Sequence, residues 1–146
     1  MDKSDIHPQL LADAHYLGQM PTGAVLLHRN ASLPWLILVP ETRLTDFLDL
    51  PEDHRNAVLA DCAALSDLVK SALGYAKVNF AGLGNQVPQM HLHIVGRAQD
   101  DPCWPQPIWG NLPPGEDYSL TTLGEWQELL VRMAGLQAAA LPDRAG

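Results

Sequence analysis

Gln89-Met90-His91-Leu92-His93-Ile94-Val95 alternates polar and apolar residues. In an extended chain this period of two sends Gln89, His91 and His93 to one face and Met90, Leu92 and Ile94 to the other. The apolar face suits a core. The polar face spaces its side chains about 7 Å apart, so two imidazoles and an amide can line one anion-sized site. A neutral imidazole is a competent nucleophile for phosphorus when its other ring nitrogen is held by a hydrogen bond, and central His91 fits that role. His93 is the candidate donor to a phosphoryl oxygen or leaving group. The preceding loop, Gly82-Leu83-Gly84-Asn85-Gln86, lets backbone approach a phosphate and adds amide donors. The spacing leaves two other readings open. One is a metal site, with His28 or Glu41 supplying a third ligand; the other is a solvated strand face, with Gly82 and Gly84 serving only to turn the chain.

Outward from this strand, Tyr75 to Ala81 reads as a second strand. Before it, PEDHRNAVLADCAALSDLVKSALG repeats Val58, Cys62, Leu65, Val69 and Leu73 at helical spacing, with Pro51 at its start and Gly74 beyond its end. That helix needs a sheet to cover. Gly23 to Pro40 holds two apolar runs about a polar turn at Arg29, Asn30, Ala31 and Ser32, a β-hairpin signal. Its second run, Trp35 to Val39, is uniformly apolar and is expected to be a central strand covered on both faces. After the motif, a Pro- and Trp-rich stretch leads to SLTTLGEWQELLVRMAGLQAAAL, read as a helix. Strands plus segregated helices define an α+β domain with a mostly antiparallel sheet of about five strands.

A length of 146 residues suits a single domain, 1–146. The net charge of −8 argues against general affinity for DNA or RNA, which rests on cationic neutralisation of phosphates, but leaves a small nucleotide open. Cys62 and Cys103 form no metal-binding spacing and are read as reduced thiols of a cytoplasmic protein. The N-terminus lacks the continuous apolar run of a signal peptide, and no stretch approaches a membrane span.

QMHLHIVGR preceded by KVNFAGLGNQVP resembles the histidine triad (HIT) family, in particular bacterial-type HIT hydrolases, whose signature alternates three histidines with apolar residues. The likeness covers residues 20–110, with 111–146 as a C-terminal extension. It implies a HIT-like fold whose sheets join across a homodimer. It also implies hydrolysis or transfer at the α-phosphate of dinucleoside polyphosphates or nucleoside phosphoramidates. The middle histidine falls on His91, implying a covalent nucleotidyl-histidine intermediate, and the third falls on His93. By position, Asn79, Asn85 and Gln86 would orient ribose or phosphates, and His28 lies near the nucleoside site. No metal is obligatory, although magnesium is compatible with a polyphosphate substrate. Two positions depart from the pattern: Gln89 stands where the first histidine belongs, and Arg43 follows VPET where the family carries a basic residue and a histidine. The alternatives are a nucleotide-binding sensor weakened by Gln89, or a metal-binding domain built on His91 and His93.

Elsewhere, Trp104 and Trp109 divide evenly between covering the site and packing. Trp35 is expected in the core and Trp126 against the domain body. His7, His15 and His54 are expected to be solvent-exposed, and Asn30 is a turn residue.

Overall fold

The computed structural model describes residues 1–142. The elements run α1 (Pro8–Asp13), β1 (Ala14–Met20), β2 (Gly23–His28), β3 (Trp35–Pro40), α2 (Glu52–Ser71), β4 (Lys77–Gly82), β5 (Leu92–Arg97), α3 (Leu120–Ala134) and β6 (Gln137–Ala138). All pairings are antiparallel, in the order β4-β5-β3-β2-β1-β6. The uniformly apolar run is indeed central: every residue of β3 is buried between β2 and β5. Among the described residues the sheet has six strands, close to the expected number: the four that the sequence marks out are joined by β1, whose register slips between Tyr16 and Gly18, and by the two-residue β6.

Alternation along the central strands separates two cores. Leu36, Leu38, Leu92 and Ile94 meet Val58, Cys62, Leu65 and Val69 of α2 on one face, where Leu123 and Leu130 of α3 join them. Trp35, Ile37, Val39 and Val95 point to the other face and meet Ile6 and Leu10 of the N-terminal segment and Ile108 of the loop after β5. The α2 stripe also carries one buried carboxylate, Asp61, which accepts from the Thr22 N–H at 2.9 Å and so ties the helix to the β1–β2 turn. Gly96 lets α2 pack tightly on the sheet, since a Cβ there would lie 2.8 Å from Val69 of the helix and 2.6 Å from Pro34. The C-terminal helix is shorter than its periodicity suggests. It stops at Gly135, which adopts φ +70° as a left-handed cap, and the residues beyond return to pair with β1. Residues 143–146 of the extension lie outside the described residues.

The loop after β5 is anchored from within. Arg97, 2% exposed, donates from Nε to Asp101 at 2.7 Å, and from its other nitrogens to Asn79 Oδ1 at 2.9 Å and the Gln106 carbonyl at 2.8 Å. Removing one partner of a buried ion pair strands the other charge, at a cost of about 3–5 kcal/mol. Asp101→Ala should therefore lower the urea midpoint by an amount equivalent to about 3 kcal/mol or more; a change below about 1 kcal/mol would show that the pair does not hold the loop.

Candidate active site

Pairing of Ile37 with His93 and of Trp35 with Val95 puts Trp35, Ile37 and His93 on the face opposite α2. A cleft of about 520 Å³ opens there. Its floor is Trp35, Ile37, His91 and His93. One wall is Gly84, Asn85, Gln86 and Val87 of the β4–β5 loop, and another is Gln9, Leu10 and Asp13 of α1, with His28, Asn30, Ile108 and Trp109 at its margins. Gly84 sits at φ +67°, a conformation that fits glycine and carries the loop around the cleft.

Each central imidazole has one ring nitrogen committed. His91 Nδ1 lies 2.7 Å from the Gln89 carbonyl oxygen. A carbonyl only accepts, so Nδ1 carries the proton and Nε2 keeps its lone pair. At His93 the logic runs the other way. Trp35 Nε1 is a donor only and stands 2.9 Å from His93 Nδ1, so Nδ1 accepts and the neutral ring bears its proton on Nε2. The two rings lie 5.1 Å apart, nearly perpendicular. Burial, reinforced by His91 and His28, pushes the His93 pKa down to about 3. His28 stacks on Trp35 at 3.6 Å and accepts the Asn30 N–H at Nδ1; burial lowers its pKa too. Trp109 closes the cluster, edge-on to His93 at 5.1 Å.

Of the residues singled out in the sequence, His28, Asn85, Gln86, His91 and His93 meet at this cleft, while Asn79 and Gln89 do not line it. The strand begins only at Leu92, so the alternation does not extend back to Gln89. The Gln89 side chain turns to the N-terminal segment, where Oε1 accepts from the His7 N–H and Nε2 donates to the Asp5 carbonyl, both at 2.8 Å. Asn79 is engaged by Arg97. Arg43 and Glu41 are exposed and outside the lining, and among the described residues no three His, Cys, Asp or Glu side chains converge as a metal set.

Trp109 lines the cleft, whereas Trp104 lies exposed over the Arg97 guanidinium. Trp35 is buried as expected but also fixes the His93 tautomer. Trp126 packs edge-on to Tyr118 against the α2-side core. Asn30 accepts from Ser32 in its turn, as expected, and also faces the cleft. His7 is exposed, but His15 is half-buried on β1 with its Nε2 2.7 Å from Asp117, because the N-terminus forms a helix and strand rather than a solvated tail. Gln9, Leu10 and Asp13 were not apparent from sequence, since a six-residue helix is too short to show a periodicity.

The geometry defines a small α+β domain with a paired-histidine cleft on its open sheet face. The HIT domain family model matches residues 9–100, and the chain belongs to the histidine triad family. Its structure is similar to that of a histidine triad protein from Marinobacter aquaeolei VT8, with TM-score 0.82 and 37% identity over 89% of this chain and 95% of the other. It is equally similar to histidine triad proteins from Bradyrhizobium japonicum (TM-score 0.82, 32% identity, 88% and 96% covered) and Sinorhizobium meliloti 1021 (TM-score 0.82, 26% identity, 88% and 95% covered). No curated protein matches. No described helix is long and apolar enough to cross a membrane.

The depressed His93 pKa has a testable sign. Below pH 6.5 the unfolded chain binds a proton at this residue that the folded chain refuses, so stability falls with falling pH, by up to about 1.4 kcal/mol per unit toward pH 3. The His93 ring should show a constant Nε2–H tautomer by nitrogen NMR from pH 5 to 8, and His93→Gln should flatten the acid limb of the stability curve. A His93 titration midpoint near 6.5 would contradict both.

Proposed function

We propose that the cleft binds a nucleotide and that His91 attacks its α-phosphorus, with hydrolysis through a nucleotidyl-histidine intermediate. The observation that carries this is the opposite tautomers of the two rings, whose centroids lie 5.1 Å apart: His91 keeps its lone pair on Nε2 and His93 bears a proton there. In the first step the His91 lone pair forms an N–P bond, and the bond to the leaving group breaks with its electron pair. His93 donates to a phosphoryl oxygen, where charge builds up. The imidazolium formed at His91 is stabilised through its Nδ1–H by the Gln89 carbonyl. Water then attacks the same phosphorus, breaking the N–P bond and returning the electron pair to His91; the proton that water loses balances the one taken up by the departed leaving group, and a nucleoside monophosphate is released. Asn85 and Gln86, exposed on the loop facing the rings, supply amide donors to the phosphate oxygens.

Family membership and the Trp35 and Trp109 indoles that line the cleft support a nucleoside phosphate as substrate, with dinucleoside polyphosphates and nucleoside phosphoramidates as the two leaving-group classes. Intact-mass spectrometry after rapid mixing with adenosine 5′-phosphoramidate or a diadenosine polyphosphate should show a nucleotidyl adduct and AMP release. His91→Ala should abolish the adduct and lower turnover more than about a thousandfold. Binding without an adduct or turnover would favour the sensor reading.

The same family reading carries a homodimer, which the edge of the sheet supports. Among the described residues β4 has a neighbour on one side only. Phe80 is 47% exposed there, over an apolar groove shared with Leu59, Ala63 and Val78. An open apolar strand edge is a pairing surface. Sedimentation should give twice the chain mass, and Phe80→Asp should give the mass of one chain; a wild-type monomer would reject the pairing.

A further inference from the structure

Gln89 occupies the position where the signature places its first histidine, yet it stays out of the cleft and joins two parts of the chain. Its main-chain carbonyl holds His91 Nδ1–H at 2.7 Å. Its side-chain amide closes a pair of 2.8 Å hydrogen bonds with the backbone, accepting the His7 N–H and donating to the Asp5 carbonyl. One amide thus grips the strap from both sides immediately before α1 begins, and α1 supplies the Gln9, Leu10 and Asp13 wall of the cleft.

That wall does not suit the phosphate. Gln9 Nε2 binds one Asp13 carboxylate oxygen at 3.0 Å, and among the described residues no cation pairs with Asp13. Arg29, whose main-chain N–H donates to the Asp13 carbonyl, turns its guanidinium to the Ala12 carbonyl and to Asp117. An uncompensated carboxylate repels a phosphate but accepts hydrogen bonds from hydroxyl or amino groups. It therefore faces the nucleoside, the part of the substrate that does not react.

We propose that Gln89 is a positioning residue that clamps residues 5–13 as the nucleoside-recognising wall beside His91, so that its side chain governs substrate binding while its carbonyl governs the nucleophile. The proposal rests on the nucleotide reading of the cleft. It accounts for the loss of a titratable group at position 89: the clamp needs an acceptor and a donor at every pH, and an amide is both.

Gln89→Glu tests this because a protonated carboxyl can also accept from His7 and donate to Asp5, whereas a carboxylate only accepts and is set against the Asp5 carbonyl. The titratable neighbours are Asp5, whose carboxylate accepts the Asp2 N–H, His7, whose Nδ1 accepts the Gln9 N–H, and His91. Wild type, Gln89→Glu and Gln89→Ala would be compared from pH 4.5 to 8 for AMP affinity, for KM and kcat with adenosine 5′-phosphoramidate, and for hydrogen exchange of residues 5–13. At pH 4.5, close to the ordinary glutamate pKa of about 4.3, the introduced carboxyl is partly protonated and Gln89→Glu should bind only about twofold more weakly than wild type. By pH 8 its KM and AMP Kd should rise about tenfold, with kcat within about twofold and exchange accelerated in step, as one charge-assisted contact to a wall would give. Gln89→Ala should show the pH 8 behaviour throughout. A loss confined to kcat would place Gln89 on the reacting phosphoryl group and overturn the proposal, as would pH-independent behaviour of Gln89→Glu. Wild type that binds no AMP and forms no adduct would overturn the nucleotide reading, whereas normal exchange in both variants would overturn the clamp itself.

Discussion

The hydrogen bond from Trp35 Nε1 to His93 Nδ1 is the contact around which the open face of the sheet is arranged. It costs a buried polar atom on a central strand, and that cost is offset only because the partner nitrogen is also buried and unprotonated. With it in place, His93 can present only an N–H to the cleft. Trp35 also carries His28 stacked on its face and Trp109 against its edge, so one indole sets the tautomer of one ring and the position of two others.

The division of labour between the two sheet faces follows from β3. Its even-numbered residues close the core under α2, and its odd-numbered residues, Trp35 and Ile37, open onto the cleft. Both faces of one strand are committed, which is why it sits in the middle of the sheet. The loop after β5, with Ile108 and Trp109 against the cleft, is held by Arg97 and Asp101, so the ion pair and the histidines are connected through one short strand.

Much of this was legible in the sequence because strong periodicities carry it: the unbroken apolar run of β3, the 3.6-residue stripe of α2, and alternation from His91 onward. The elements that escaped lack such a signal. β1 reads AHYLGQM, whose alternation is broken by the bulge near Gly18, and α1 is less than two turns long. A period of two extrapolates backward indefinitely and so puts Gln89 on the histidine face, whereas the strand starts where pairing with Leu38 begins, at Leu92. Asn79 shares a face with Val95 and Arg97, but a neighbouring guanidinium claims its carbonyl, a competition that residue spacing cannot reveal. Trp35 was recoverable in principle, since strand parity sets it on the His93 side once β3 and β5 are paired.

Among the described residues no lysine or arginine lines the cleft, on a chain whose formal net charge is −8. An anionic ligand is therefore not drawn in by a long-range field; it diffuses against a mildly repulsive one, and its capture depends on neutral donors acting at contact distance. Association is set by shape and short-range hydrogen bonding rather than by attraction from afar, so added salt, which screens the repulsion, does not slow it. Polyanions such as nucleic acids rely on many cationic contacts, a kind of contact that the described residues of this cleft do not supply.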